Sequence, residues 1–246
     1  MSTSKKARRQ FLQRLAATSV IGAGGISLLI QNALANGKDP LASGMHKITG
    51  DVRVNGVAAK EGMLLRNGDT IETGAKSQAI YVIGKDAFFQ RDNTTVNFAS
   101  GAAADVMRVL TGKILSVFGK GQRTIQTSTA TIGIRGTGCY IEDEPALPRS
   151  KPVGAGDTPL KPTKSSRTYF CLCYGTVELT PTAMPQQKET YSTKHHDHPL
   201  YIHDDPTMAT CMVAAPVSNH SDIELALLES LVGRQPPFPS EYWRTY

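Results

Sequence analysis

Several things are scarce in this chain of 246 residues, and each shortage removes a class of function. Acidic residues are missing from the first 35 positions, which carry Lys5, Lys6, Arg8, Arg9 and Arg14. The whole chain holds 27 Lys+Arg against 21 Asp+Glu, a formal charge of +6, yet residues 36–246 hold 22 basic against 21 acidic residues. A body so close to neutral lacks the spread of cations that grips phosphate backbones, so no nucleic-acid partner is expected. Aromatics make up 7% of the chain and Trp243 is its one tryptophan, too few for a surface that stacks single-stranded bases. No apolar run reaches the ~20 residues of a preferred membrane span. Nucleophile elbows, phosphate-cradling glycine loops and paired catalytic carboxylates do not stand out. No Cys-x-x-Cys-His attachment site occurs either, which excludes covalent haem of that type. An enzyme is therefore not expected.

The first 35 residues have a logic of their own. Arg8 and Arg9 are followed by Gln10, Phe11 and Leu12, then by a soft apolar stretch from Leu15 to Ile30 interrupted by Gly22, Gly24 and Gly25. Ala33 and Ala35 flank Leu34 and supply the small residues that a signal peptidase needs. The segment resembles a twin-arginine (Tat) signal, with Gln13 where that pattern usually has lysine. The resemblance implies export to the periplasm, by a route that carries folded and often cofactor-loaded cargo. Cleavage is expected after Ala35; an uncleaved signal would be the protein's one contact with the membrane.

From Met45 to about residue 193 the chain alternates apolar and polar residues in short runs, rich in Val, Ile, Thr and aromatics and separated by Gly, Asn and Asp. The runs are 52–57, 79–84, 86–92, 94–98, 105–119, 123–136 and 169–179. Asn67-Gly68-Asp69 and Thr111-Gly112-Lys113 have the composition of tight turns between strands. No helical periodicity appears here, so the body is expected to be all-β, a sandwich or a short solenoid. Residues 143–167 hold five prolines and read as an exposed loop inserted in the domain. Beyond residue 193 come a histidine-rich loop and a helix. Ser221-Asp222-Ile223-Glu224 has capping-box spacing, and a leucine-rich stretch of about eleven residues runs to Gly233 ahead of Pro236-Pro237. This short amphipathic helix is expected to pack on one face of the β domain.

Three elements in order carry a family resemblance: LLRNGDTIETGAKSQAIYVI (64–83), LTGKILSVFG (110–119) and TIQTSTATIGIRGTGCYIE (124–142). Together with YFCLCYGTVEL (169–179), they make residues 45–193 similar to the FecR domain. The resemblance implies an extracytoplasmic β module for signalling, envelope binding or scaffolding, without catalysis, and it transfers no ligand-contacting residue. Residues 1–35 are too few for the cytoplasmic anti-sigma region of the founding type, so iron-citrate signalling is not implied.

Chemistry rests on four cysteines and a histidine run. Cys139 precedes the inserted loop, and Cys171 and Cys173 follow it two residues apart, on one face of a strand. If the flanking strands pair as a hairpin, Cys139 is expected to face the Cys171/Cys173 region. His195, His196, His198 and His203 lie in the run 194–205. Thiolate and imidazole suit a borderline or soft metal. Cys139, Cys171 and Cys173 with His195, His196 or His198 could hold zinc or copper, or ligate a haem iron. The alternative is a disulfide-stabilised envelope signalling or scaffold module without metal, Cys139 bonding Cys171 or Cys173 and Cys211 taking the thiol that remains. Scattered, chemically idle side chains are the third possibility. The HHDHP run has the residue types of metallo-hydrolase ligands but not their spacing, so a metal-dependent hydrolase is the weakest reading. In the scaffold reading an envelope protein is the partner, met on the β surface and the C-terminal helix.

Overall fold

A computed structural model describes residues 39–100, 105–146, 165–239 and 244–246. Arg8, Arg9, Phe11 and Leu12, expected to form an export signal, and Ala33 and Ala35, expected at its cleavage site, lie outside the described residues, as does most of the proline-rich segment 143–167. Fourteen strands form one hydrogen-bonded network: β1 (Gly44–Thr49), β2 (Val52–Val54), β3 (Val57–Ala58), β4 (Thr70–Thr73), β5 (Gln78–Ile83), β6 (Asp86–Gln90), β7 (Thr94–Ser100), β8 (Asp105–Val117), β9 (Gln122–Gln126), β10 (Ala130–Glu144), β11 (Arg167–Pro181), β12 (Glu189–Thr193), β13 (Leu200–His203) and β14 (Met212–Ala214). One α-helix, α1 (Asp222–Leu231), follows. Among the described residues no helix is long and apolar enough to cross a membrane.

The fold is all-β, and the pairing makes it a sandwich. The first half of β8 pairs with β7 and β9, and its second half with β6 and β10. In the same way β10 pairs with β9 at one end and β8 at the other, while β11 meets β12 at one end and β13 at the other. The long strands therefore pass from one layer to the next, and every pairing but β8–β9 is antiparallel, which excludes a solenoid of stacked parallel turns. The 111–113 segment is thus a bend inside β8, where the residue composition had suggested a turn. Gly112 (φ +92°) makes that bend, and an added Cβ would lie 2.5 Å from the Cα of Thr94. Gly175 (φ +104°) bends β11 against Thr137, whose Cγ2 would lie 2.6 Å from a Cβ. Only glycine fits both the left-handed conformation and the close approach.

Two apolar clusters result. Residues such as Phe88, Val96, Ile114, Ile125, Ile132, Phe170 and Leu172 fill the space between the layers. The outer face of one layer, with Val82, Phe89, Leu115, Tyr140, Tyr169, Cys171 and Cys173, is covered by Leu225, Leu228 and Leu231 of α1. Sheet, sheet and helix thus stack in three tiers. This is why YFCLCY in β11 reads as an unbroken apolar run: Phe170 and Leu172 face the inter-sheet core while Tyr169, Cys171 and Cys173 face the helix. Each fully buried leucine of α1 contributes about 1.5–3 kcal/mol of burial to holding the helix down.

The capping box forms as the spacing predicts. Glu224 N donates to Ser221 Oγ (3.3 Å) and Ser221 N donates to the Glu224 carboxylate (2.9 Å). Arg91, in the β6–β7 turn, donates to both Glu224 oxygens at 2.9 and 3.0 Å and to Asn219 O at 3.1 Å. This clamp fixes the loop just before α1 against the sheet, and that loop carries His220.

Candidate metal centre

Four side chains converge where β11, the β12–β13 loop and the loop before α1 meet. Cys171, Cys173, His196 and His220 each offer one donor atom, and all four atoms lie within 4.8 Å of one another with every residue buried. Cys171 Sγ is 3.4 Å from His196 Nδ1, which is 3.1 Å from His220 Nε2. An ideal tetrahedral set around zinc, with bonds of about 2.0–2.3 Å, separates its ligand atoms by about 3.3–3.8 Å. The donors are already nearly at ligand spacing.

The outer nitrogen of each imidazole is committed. His196 Nε2 donates to Asp222 Oδ1 at 2.9 Å, and His220 Nδ1 donates to the carbonyl of Ser218 at 2.7 Å. A carbonyl or carboxylate partner requires N–H at these positions, which leaves Nδ1 of His196 and Nε2 of His220 as lone-pair donors aimed at each other and at the sulfurs. Two lone pairs 3.1 Å apart repel unless a proton or a metal cation lies between them. Tyr140 stacks on His220 at 4.7 Å between ring centres, and Tyr246 lies 4.9 Å from His196, closing the site with aromatic walls. His196 itself has φ +52°, a left-handed conformation that turns its ring inward from the loop.

The electrostatics divide the ligands: Cys171 is shifted toward its thiolate, while His196 and Cys173 are shifted toward their protonated forms. Cys173 first, then His196 and His220, act on Cys171 against the cost of burial and pull its thiol down to about 3. Burial opposes charge on His196, but hydrogen bonds to Asp222 and Cys171 overcome it and raise its pKa to about 9. Asp222 is held below the usual carboxylate range: burial pushes it up, but the His196 ring and the Arg244 N–H outweigh that. Cys173 is pushed up, by burial first and then by the neighbouring Cys171 sulfur.

The residues singled out in the sequence divide. Cys171, Cys173 and His196 come together. His195 stands beside them, its Nε2 at 3.1 Å from Asp222 Oδ2, in a second close group with His196 and Asp222. His198 is exposed and sits edge-on to Tyr191 at 6.2 Å. The expectation that Cys139 faces the Cys171/Cys173 region is corrected by the register: Cys139 opposes Leu172 and Tyr140 opposes Cys171, so Cys139 points into the inter-sheet core. The same geometry corrects the disulfide pairing, since Cys139 and Cys171 project from opposite faces of the sheet. All four cysteines are free thiols, and Cys211 Sγ instead lies 3.4 Å from Gln187 Oε1. The sequence reading missed His220 and Asp222. His220 lies 47 residues beyond Cys173, outside any local ligand spacing, and Asp222 was accounted for as a helix-capping residue.

Cys171, His196 and Asp222 also have the connectivity of a nucleophile, its base and an orienting acid. Cys171 has no exposed surface, which leaves no route for a substrate carbonyl to reach it.

No family model matches the chain, and neither does any curated protein. Among solved structures, it is similar to two crystal structures, at 1.65 and 2.50 Å resolution, of a candidate anti-sigma factor from Parabacteroides distasonis ATCC 8503. In each case the TM-score is 0.42 at 7% identity, over 59% of this chain and 58% of that one. The chain thus matches less than two thirds of those structures, and no functional conclusion follows from likeness at this level.

Proposed function

We propose that this protein is an exported, non-catalytic FecR-like module of the periplasm that holds one zinc ion at Cys171, Cys173, His196 and His220. The observation that carries the metal is the pair of imidazoles with their outer nitrogens tied to Asp222 and Ser218 and their inner nitrogens converging on two sulfurs. Two thiolates and two imidazoles form a closed tetrahedral set, the mark of a structural ion and not of one that keeps a position open for substrate. The pocket fits an ion and is too tight for a macrocycle, so zinc is favoured over haem. A buried, redox-silent role also favours it over copper.

The ion would tie three separate pieces of chain together: β11, the loop at His196 and the loop at His220. It would thus act as a rivet between the sheet and the helix tier. Export through the twin-arginine route fits a protein that folds around its metal before crossing the membrane. A regulatory or scaffold role in the envelope follows from the FecR resemblance. The test is metal analysis of the chain exported through its own signal. One zinc per chain in the exported protein, with export but not zinc lost when Arg8 and Arg9 become lysines, supports the reading. Exported protein that is folded and metal-free overturns it.

A further inference from the structure

A second site opens beside the metal centre. Where β10 and β11 bend between layers, the chain leaves a cleft of about 720 Å³, within the range of small-molecule sites. Its apolar walls are Phe118, Tyr174 and Phe238, each a nearly buried ring. His195 joins them with its ring 4.6 Å from Phe238.

The charges around this cleft are unequal. Five charged side chains line it: Lys120, Lys194, Arg234, Asp197 and Glu229. Both acids are engaged within the protein. Glu229 accepts hydrogen bonds from Tyr174 OH and from Arg234 Nε, which sits 2.5 Å away, and burial raises its pKa. Asp197 accepts from Thr193 Oγ1 at 2.5 Å and from Lys194 N at 3.2 Å. Arg234 pairs with Glu229 through Nε and its Nη1 donates to Lys85 O at 2.7 Å, while its Nη2 is buried away from solvent without a hydrogen-bond partner. The exposed ammonium groups of Lys120 and Lys194 are left as the charges a ligand can meet.

We infer that this cleft binds a small aromatic anion, its ring system against Phe118, Tyr174 and Phe238 and its acid group at Lys120 and Lys194. Aromatic walls supply the burial and the two cations at the rim select the sign. The inference is argued from the cleft's own residues, and zinc content is measured beside it because the loop of Lys194 also carries His196.

The probe is 1-anilinonaphthalene-8-sulfonate, titrated by fluorescence into the folded, exported chain, with zinc content measured on the same samples. Saturable binding of one probe per chain is expected. The double variant Lys120→Glu/Lys194→Glu should weaken it by about tenfold or more, with zinc content unchanged. The uncharged analogue N-phenyl-1-naphthylamine should bind about tenfold more weakly than the anion. Phe238→Ala should abolish binding; because that ring also packs in the core, the charge-reversal pair is the deciding variant. No saturable binding to folded protein overturns the inference. So does binding that the charge reversal or loss of the sulfonate leaves within about twofold.

Discussion

Cys139 and Cys171 sit on the same two-stranded ladder, one register step apart, and both are fully buried. Their chemistry is opposite. Cys139 faces the inter-sheet core, where burial pushes its thiol well above the ordinary range. Cys171 faces the helix tier, where the Cys173 thiol, His196 and His220 pull it down to about 3. Burial alone does not make a cysteine inert or reactive; the partners on its face decide. The inner face of this sheet is a packing surface. The outer face is a packing surface with a chemical site set into it.

Substitution at the two cysteines gives the largest expected contrast. Cys171→Ser should abolish stoichiometric zinc binding, read by metal analysis after dialysis, because one of four closed ligands is lost. Cys139→Ser should keep its zinc and lose stability instead, by about 1–3 kcal/mol in denaturant unfolding, as a hydroxyl is forced into an apolar core. Zinc loss from Cys139→Ser alone would reverse the assignment of the two faces.

Removing the metal should separate the faces further. After chelation, amide hydrogen exchange should accelerate in residues 194–198 and 218–231, the pieces that the proposed ion would tie to β11. The strands β7 and β9 and the first half of β8, on the far layer, should keep their protection. Uniform acceleration across both layers would mean that the ion holds up the whole sandwich and not the outer face.

A smaller effect is expected behind the ligands. Asp222→Asn keeps the shape but weakens the charge that orients His196, so zinc affinity should fall by about 10–100-fold while the fold persists. The smallest effect concerns protons. His196, with its pKa near 9, and the raised Cys173 thiol both hold protons at neutral pH when the ion is absent, whereas Cys171 is already a thiolate. Zinc binding must displace those protons, so affinity should drop as pH falls from about 9. Calorimetry in buffers of different ionisation enthalpy should count about two protons released per ion near pH 7.5.

Much of this architecture was legible in the residues. Alternation announced the strands, and the Ser221–Glu224 spacing with Gly233 announced the helix and both its ends. Strand length was not legible: β8, β10 and β11 run 13, 15 and 15 residues because glycines bend them between layers without ending them, and Gly112 looked like a turn for the same reason. The Cys-x-Cys pair and His196 were visible as local patterns. The face of Cys139 was not, since it depends on a register set by the hairpin. His220 reaches the cluster only through helix docking, a tertiary event with no local signature.

The central claim is a two-sulfur, two-nitrogen ion on the outer face, and X-ray absorption at the zinc edge tests it most directly. We expect one zinc per chain with two sulfurs at about 2.3 Å and two imidazole nitrogens at about 2.0 Å. A shell of three sulfurs, an oxygen-rich shell, or no zinc in folded exported protein would contradict it.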